Sequence, residues 1–480
     1  MTSLSFIKKY HSFFLLITAC LLFGFNNALF SWFVFFPVIA LVYEVPLKKV
    51  WIYGGLYGVF SYLLYLPWLL KFSPVAMAGV SVLYFCYCSV LFFILKLCIV
   101  EKRLFRFCLI LLVLCLYEFF KTLGFTGFSY GVNAYSQWKN LSFIQIADFS
   151  GVWGVSFILN YFSVLLFELY LALKKQKVDR SFLRYTSFGL IFVIFSFSYG
   201  IFRIHQISSS EKNFRKIKVC AIQNNCDPWK SGIDNYSKDI HKLMELSDMA
   251  LSEHPDTEIV IWPETAVVPS ILKNYYTPNE VKRNVLIKEL LEYINSKKCG
   301  FVIGNFNSYG ECDYNSVLFF IPKKNVIPPD PEIYSKIHLV PFTEYFPYEK
   351  QFPALYKFLL DGDTHLWTPG DEYKVFEYEG LRFSTPVCFE DNFGGGLRNF
   401  KNAGAGAFFN LSNDAWSKSK RCQVQHLKMA VFRSVENHIP SVRSTASGET
   451  CFISSIGRIY QKIPSFTEGY AADYIPVIDR

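Results

Sequence analysis

Three side chains with complementary chemistry lie at or near the ends of apolar runs in the second half of the chain. Glu264 closes the run IVIWPE, Lys336 lies in EIYSKIHLV, and Cys388 closes FSTPVC. A carboxylate can take the proton of a thiol, while an ammonium can stabilise first the thiolate and then a tetrahedral oxyanion. The three residue types together predict attack by a Cys388 thiolate on a carbonyl carbon.

Each of these residues also has a purely structural interpretation. An isolated cysteine is usually a small buried apolar residue, because a nucleophilic thiol needs a special environment. Glu264 could cap the helix that follows it, and Lys336 could be a surface lysine. The flanks of Lys336 are apolar and bracketed by prolines, which favours a packed loop. The prediction of chemistry therefore depends on whether the fold brings the three side chains together.

The elements that would position these side chains alternate between strands and helices. Apolar runs predict strands at 217–225, 257–265, 300–306, 316–322, 381–387 and 406–412, followed by two more in SVRSTA and TCFISS. Helical spacing is found at 235–254, 279–298 and 422–438. Such alternation predicts sheets with helices packed on their faces, a fold in which functional residues collect at strand ends and in the loops that follow.

The first 203 residues have the composition of a membrane protein. The whole chain of 480 residues is 52% hydrophobic and only 18% charged, whereas a soluble domain is about 25% charged. Seven apolar segments are candidate membrane spans, at 11–27, 29–43, 51–70, 75–98, 104–120, 150–173 and 183–202. A polar linker at 204–216 leads to a globular domain at 217–480, which is long enough to bury its own core.

The distribution of lysine and arginine predicts the orientation. With the N-terminus in the cytoplasm, most basic loop residues fall on the cytoplasmic side, including the cluster at 174–184. Seven crossings then place 217–480 on the outer side of the membrane. The net charge of +9 is mostly this topological signal, and no concentrated basic and aromatic surface indicates nucleic-acid binding. A cleaved signal peptide is not expected, because the apolar segments continue.

Neither a metal nor another cofactor is expected. The chain has thirteen cysteines, without a CxxC pair in the second half or a His/Cys cluster at zinc spacing. The histidines of the predicted site region are interpreted as structural, namely His338, His365, His426 and His438. Six outer cysteines could pair in an oxidising compartment, in a connectivity that the sequence leaves open: Cys220, Cys226, Cys299, Cys312, Cys422 and Cys451.

Three motifs around the reactive residues resemble those of the nitrilase superfamily. WPET (262–265), SKIHLVPFTEYFP (335–347) and PVCFED (386–391) are similar to the motifs of its Glu–Lys–Cys triad and occur in the same chain order. NLSNDAW (410–416), followed by the segment at 425–448, is similar to the next part of that superfamily.

The membrane half narrows the resemblance. The segment at 117–157 is similar to the last membrane segments of apolipoprotein N-acyltransferases, so that the resemblance covers nearly the whole chain. It implies a polytopic α-helical membrane domain of about seven helices at 1–203, joined to an α/β nitrilase-like αββα sandwich at 217–480. It also implies a multi-pass protein of the bacterial inner membrane, monomeric, with its catalytic domain facing the periplasm.

The resemblance implies acyl transfer in two steps. Cys388 attacks the sn-1 acyl ester of a phospholipid donor and forms a thioester. The free α-amine of the S-diacylglyceryl cysteine of an apolipoprotein, the diacylated prolipoprotein acceptor, then takes the acyl chain. Glu264 is the implied general base and Lys336 the implied oxyanion partner. Supporting positions of the family map onto Glu344, Glu390, Trp229 and Phe389, the last of which stands where the family usually has tyrosine.

Two other functions remain open at this point. A membrane-tethered amidase or nitrilase would pass the acyl group of the thioester to water. A catalytically impaired, truncated homologue is the other alternative, because the family returns to the membrane in a last helix and no such apolar segment follows residue 203 here. GFSY at 127–130, where the family usually has Gly-Phe-Pro-Trp, is a further departure from its pattern.

Overall fold

A computed structural model describes residues 3–100, 102–174, 176, 180–361 and 365–478. The chain divides into two compact units, Met1–Gln206 and Ile207–Arg480. All thirteen cysteines lie within the described residues and carry free thiols.

The first unit is built from helices. They are α1 Ser3–Gly24, α2 Phe36–Glu44, α3 Leu47–Tyr65, α4 Pro67–Phe72, α5 Pro74–Cys98, α6 Arg103–Phe120, α7 Leu141–Ile144, α8 Ala147–Lys174 and α9 Arg180–Glu211. Three of them, α5, α8 and α9, are long and apolar enough to cross a membrane. The predicted helical membrane domain is therefore confirmed, while the count of seven spans stays a prediction.

Three predicted boundaries differ from the structure. The span expected at 29–43 is divided into a 3-10 turn at Phe30–Trp32 and the helix α2, whose nine residues rise about 13 Å at ~1.5 Å per residue. The span expected at 51–70 is interrupted after Tyr65, because Pro67 has no N–H for a continuing helix and instead begins α4. The linker expected at 204–216 is helical as far as Glu211, since nothing in its first residues breaks α9.

The helices of the first unit enclose a buried ion pair. Arg106 donates from Nε and Nη2 to the two carboxylate oxygens of Glu168, at 2.8 and 2.7 Å. Arg103 adds a contact of 3.2 Å to the same carboxylate, which is fully buried. Two charged partners satisfy the buried carboxylate, as an apolar environment requires.

The second unit contains two six-stranded sheets. Their strands are β1 Lys216–Gln223, β2 Ile259–Ile261, β3 Gly300–Tyr309, β4 Cys312–Phe320, β5 Glu332–Ser335, β6 Phe376–Tyr378, β7 Leu381–Ser384, β8 Ala407–Ser412, β9 Ser441–Thr445, β10 Cys451–Ile453, β11 Ile459–Tyr460 and β12 Gly469–Pro476. The strand orders are β12-β1-β2-β3-β4-β5 and β11-β10-β9-β8-β7-β6. Its helices are α10 Ile233–Glu253, α11 Ile271–Tyr276, α12 Val281–Ser296, α13 Pro353–Asp361, α14 Gly394–Asn402 and α15 Lys420–Asn437.

Alternation along the strands explains the layering. Val219 and Ala221 of β1 pack in a core shared with Phe409 of the second sheet. Cys220, between them, points the other way and packs with Leu243 of α10. Because successive strand residues face opposite sides of a sheet, one strand serves both the core between the sheets and the core under the helices. This confirms the predicted αββα sandwich.

Candidate active site

The fold brings the three reactive residues to the carboxyl ends of their strands. Glu264 follows β2, Lys336 follows β5, and Cys388 begins a single 3-10 turn after β7. All three are buried, with exposures of 7%, 1% and 9%. The parallel pairing of β7 with β8 continues to a bridge between Val387 and Leu411, so Cys388 lies beside the end of β8.

A network of hydrogen bonds joins the acid to the cation. Lys336 Nζ lies 3.3 Å from Glu264 Oε1 and 2.9 Å from Glu344 Oε1. Asn315 donates its amide to Glu264 Oε1 at 2.8 Å, and the backbone N–H of Asn413 donates to Oε2 at 2.9 Å. Both oxygens of Glu264 are thereby held in place, as a base requires if it is to meet a defined proton.

The charges of this network act on the thiol. Burial raises the pKa of the Cys388 thiol well above its usual range; the Glu264 carboxylate adds to the rise, and the Lys336 ammonium opposes it. Burial by itself lowers the pKa of Lys336, but the carboxylates of Glu264 and Glu344 outweigh it and raise the pKa above its ordinary value. The resting site therefore holds a thiol beside an ammonium that stays charged, and the thiol needs a base before it can attack.

The backbone of Cys388 has an unusual conformation. Its φ of 48° lies in the left-handed region, which a residue with a side chain seldom adopts. Such a residue costs roughly 1–2 kcal/mol relative to an ordinary helical or extended conformation. Strain of this kind persists only where surrounding contacts hold it, and it is concentrated at functional sites.

Glu390 connects the segment of the lysine to that of the cysteine. Its carboxylate accepts bonds from the backbone N–H groups of Ile337 at 2.9 Å, His338 at 3.1 Å and Val387 at 2.7 Å. The hydroxyl of Tyr334 donates to the same carboxylate at 2.8 Å. Burial raises the pKa of Glu390, but these donors favour the ionised form. This carboxylate thus fixes residues on both sides of the site and is not free to act as a base.

The other predicted supporting residues divide into two groups. Glu344 contacts Lys336, and its second oxygen accepts from the backbone of Val340 at 2.8 Å. Phe389 is buried beside Cys388 and packs edge-to-face on Phe393. Trp229, in contrast, is 55% exposed and is not part of the buried cluster.

Trp229 lies near a surface cavity. Its chain neighbours line a cavity of about 140 Å³. Thr265, which follows Glu264 in the chain, and Asn413, whose backbone N–H donates to Glu264, line the same cavity. The structure therefore places Trp229 on the surface, next in the chain to residues that line this cavity.

The structure adds contacts that the sequence did not indicate. His426 Nε2 lies 2.9 Å from the carbonyl oxygen of Cys388, and its Nδ1 lies 3.1 Å from Asp414 Oδ1. Sulfur, oxygen and nitrogen atoms of Cys388, Asp414 and His426 come within 4.8 Å of one another. Both ring nitrogens of His426 have hydrogen-bond partners in this structure. Asp414 lies in the motif NLSNDAW and His426 in the segment QHLKMA. Neither an aspartate nor a histidine by itself indicates a contact with Cys388.

Comparisons with known proteins agree with this geometry. Residues 219–477 match the family model of carbon-nitrogen hydrolases, and residues 14–165 match that of the apolipoprotein N-acyltransferase N-terminal domain. The chain is 38% identical over 462 residues to apolipoprotein N-acyltransferase 1 of Treponema denticola, covering 91% of this chain and 83% of that protein.

Two further proteins were compared. The chain is 40% identical to apolipoprotein N-acyltransferase 1 of Treponema pallidum, with 89% of this chain and 81% of that protein covered. The structure of a carbon-nitrogen hydrolase from Helicobacter pylori matches with 16% identity and a TM-score of 0.40, covering 55% of this chain and 89% of that one. The chain has a helical membrane half and a nitrilase-type half, and the match to the Treponema relatives extends over both. It therefore belongs to the apolipoprotein N-acyltransferase family.

Proposed function

We propose that this protein transfers an acyl chain from a phospholipid to the α-amine of S-diacylglyceryl cysteine in apolipoproteins, through a thioester on Cys388. The observation that carries the proposal is the buried Lys336, held at 3.3 and 2.9 Å between the carboxylates of Glu264 and Glu344 and electrostatically coupled to the thiol. The names and the length of the match to the relatives support the choice of substrates.

The first step forms the acyl-enzyme. Glu264 takes the proton of the Cys388 thiol while sulfur attacks the ester carbonyl carbon of the phospholipid. The carbonyl oxygen becomes an oxyanion, which the Lys336 ammonium stabilises. As the tetrahedral intermediate collapses, the carbon–oxygen bond breaks, and the leaving lysophospholipid alkoxide takes the proton from Glu264. A thioester and a neutral alcohol result.

The second step transfers the chain to nitrogen. The neutral α-amine of the acceptor attacks the thioester carbonyl, and Glu264 takes a proton from the attacking nitrogen. Lys336 again stabilises the oxyanion, and the carbon–sulfur bond breaks. The departing thiolate receives the proton from Glu264, so the site returns to its resting state and the product is an amide.

The supporting residues have distinct proposed roles. Glu344 keeps the Lys336 ammonium charged and fixes its orientation, and Glu390 fixes the turn that carries Cys388. Phe389 closes the site with an apolar ring where the family usually has a phenol. The exposed indole of Trp229, beside the surface cavity, contacts the substrate as it enters.

The site also needs a defined place in the cell. We propose a monomer with about seven spans in residues 1–203 and the catalytic domain at 217–480 on the periplasmic side of the inner membrane. The basic residues of the predicted cytoplasmic loops support this orientation. Membrane attachment keeps the catalytic domain near its lipid donor, which raises the effective concentration of the two.

Intact-mass analysis tests the proposed function. Protein incubated with phospholipid is expected to gain the mass of one acyl chain, to lose it in hydroxylamine, and to show no gain in Cys388→Ala. Addition of a diacylated lipopeptide is expected to discharge the thioester and give the N-acylated peptide. An acylated Cys388→Ala protein would contradict the assignment of the nucleophile, and release of free fatty acid without acylated peptide would indicate hydrolysis.

A further inference from the structure

A compact group of charged side chains lies behind the proposed nucleophile. Its members are Asp391, Asp414, His426 and Arg443, each at most 4% exposed. Asp391 belongs to the 3-10 turn of Cys388, Asp414 follows β8, His426 lies on α15 and Arg443 on β9. Four separate elements of the second unit therefore meet in one cluster, which contacts the carbonyl of Cys388 through His426.

The partners of His426 hold its ring from both sides. Nε2 lies 2.9 Å from the carbonyl oxygen of Cys388, and because a carbonyl oxygen can only accept, Nε2 donates this bond. Nδ1 contacts both carboxylate oxygens of Asp414, at 3.1 and 3.2 Å. Burial by itself raises the pKa of Asp414, but its interactions with His426 and Arg443 outweigh burial and lower it below the usual range. Asp414 therefore orients the ring whose other nitrogen donates to Cys388.

Arg443 connects the two aspartates of this group. It forms an ion pair with Asp391 and lies 3.8 Å from Asp414, and His426 lies 3.8 Å from Asp391. Each buried carboxylate therefore has a basic side chain beside it, as burial requires.

The hydrogen bond to the Cys388 carbonyl helps to hold the backbone conformation of Cys388. A left-handed backbone at a residue with a side chain is maintained only if neighbouring groups over-determine it. Glu390 fixes the N–H of Val387, before the cysteine, and His426 fixes the carbonyl of the cysteine itself. The two bonds hold opposite ends of the same strained unit.

We propose that His426, oriented by Asp414, is a positioning residue for acyl transfer, because its bond to the Cys388 carbonyl holds the nucleophile in the left-handed conformation that keeps the thiol beside Glu264 and Lys336. This inference rests on the proposed role of Cys388 as nucleophile. His426 contacts neither the reacting sulfur nor the acyl group in this role.

Single-turnover acylation of the full chain tests the inference. The donor is a mixed micelle of phosphatidylethanolamine and phosphatidylglycerol, and thioester formation is followed by intact mass. His426→Met introduces a side chain of similar length that has no hydrogen-bond donor. It is expected to slow acylation at saturating phospholipid by about 10²-fold. The donor concentration that gives half the maximal rate is expected to stay unchanged. His426→Gln retains an N–H donor and is expected to recover most of the lost rate.

Leu427→Ala is the matched control. Leu427 is fully buried on the same helix, so this change weakens packing around α15 without removing the bond to Cys388. It is expected to lower the thermal midpoint while leaving the acylation rate of the folded protein near that of the wild type. A His426→Met protein that acylates as fast as Leu427→Ala would overturn the inference, as would a His426→Gln protein no faster than His426→Met.

A second variant decides the matter if His426→Met does not fold. Asp414→Asn preserves volume and removes the charge that orients the imidazole, so acylation at least roughly ten-fold slower is expected. A wild-type rate in Asp414→Asn would overturn the inference. Failure of the wild-type protein to form any thioester on Cys388 is a different result, because it would contradict the proposed function itself.

Discussion

Replacement of Lys336 by methionine tests the two proposed roles of this buried cation. It pairs with two buried carboxylates, and it is proposed to stabilise the oxyanion. Methionine keeps an unbranched apolar stem but removes the ammonium that lies 3.3 Å from Glu264 and 2.9 Å from Glu344. The lysine side chain is completely buried, so water cannot replace it. Two carboxylates then share the site without a cation.

The expected magnitudes follow from these distances. With an effective dielectric constant of about 20, each contact contributes roughly 5 kcal/mol before desolvation. Desolvation of the ammonium offsets much of that sum, and loss of one partner from a buried ion pair typically costs about 3–5 kcal/mol. Loss of an oxyanion donor typically slows the chemical step by about 10²–10³-fold. Lys336→Met is therefore expected to lower both the free energy of unfolding and the acylation rate.

The double variant Lys336→Met/Glu344→Gln distinguishes stability from chemistry. It removes one of the two carboxylates left unpaired, so we expect it to recover about 1–3 kcal/mol of the lost stability without recovering acylation. Denaturant unfolding in detergent measures the first quantity, and intact mass after a single turnover measures the second. Lys242→Met, which removes surface ion pairs with Glu245 and Glu468, is the control and should change either quantity little.

Two results would refute this reasoning. Wild-type acylation in Lys336→Met would show that the ammonium stabilises no oxyanion. Recovery of acylation in the double variant would show that Lys336 acts only by neutralising Glu344, in which case the oxyanion partner must be sought elsewhere.

Three other predictions concern the remaining carboxylates and the thiol. Glu390→Ala leaves buried donors without an acceptor and should lower the free energy of unfolding by about 3 kcal/mol or more; an unchanged denaturation midpoint would contradict this. Glu168→Ala removes the carboxylate partner of the buried Arg106 and should lower the free energy of unfolding in detergent by about 3–5 kcal/mol. Glu168→Gln is expected to lower it less. Because burial raises the pKa of Cys388, the folded state loses stability as the pH rises past the ordinary thiol value of 9.0. Cys388→Ala should flatten that decline in the thermal midpoint, and an identical slope would argue against the raised pKa.

Strands β1 to β4 and β7 to β10, and the order of the reactive residues, were predictable from the sequence alone. Apolar runs that end in Glu264 and Cys388 identified β2 and β7, since a strand buried on both faces is continuously apolar. The motifs around these residues also indicated the family, because each keeps its reactive residue at a strand end. Local composition likewise separated the membrane half from the catalytic half.

Other features depend on long-range pairing. The last strand, β12, was not predicted; it pairs with β1, which lies at the opposite end of the domain's sequence. The exposure of Trp229, whose supporting role stays a prediction, is likewise set by the tertiary structure.

The contact of His426 with Cys388 shows most clearly what the tertiary structure decided. The two residues are 38 positions apart, and nothing in the spacing of either one specifies the other. They meet because β7, β8 and β9 pair in parallel and so align the segments that carry Cys388, Asp414 and Arg443, while α15 returns His426 to the same edge. The sequence alone determined which chemical groups were available. Strand register and helix packing decided their distances, and distance determines whether a carboxylate, an ammonium and a thiol act together.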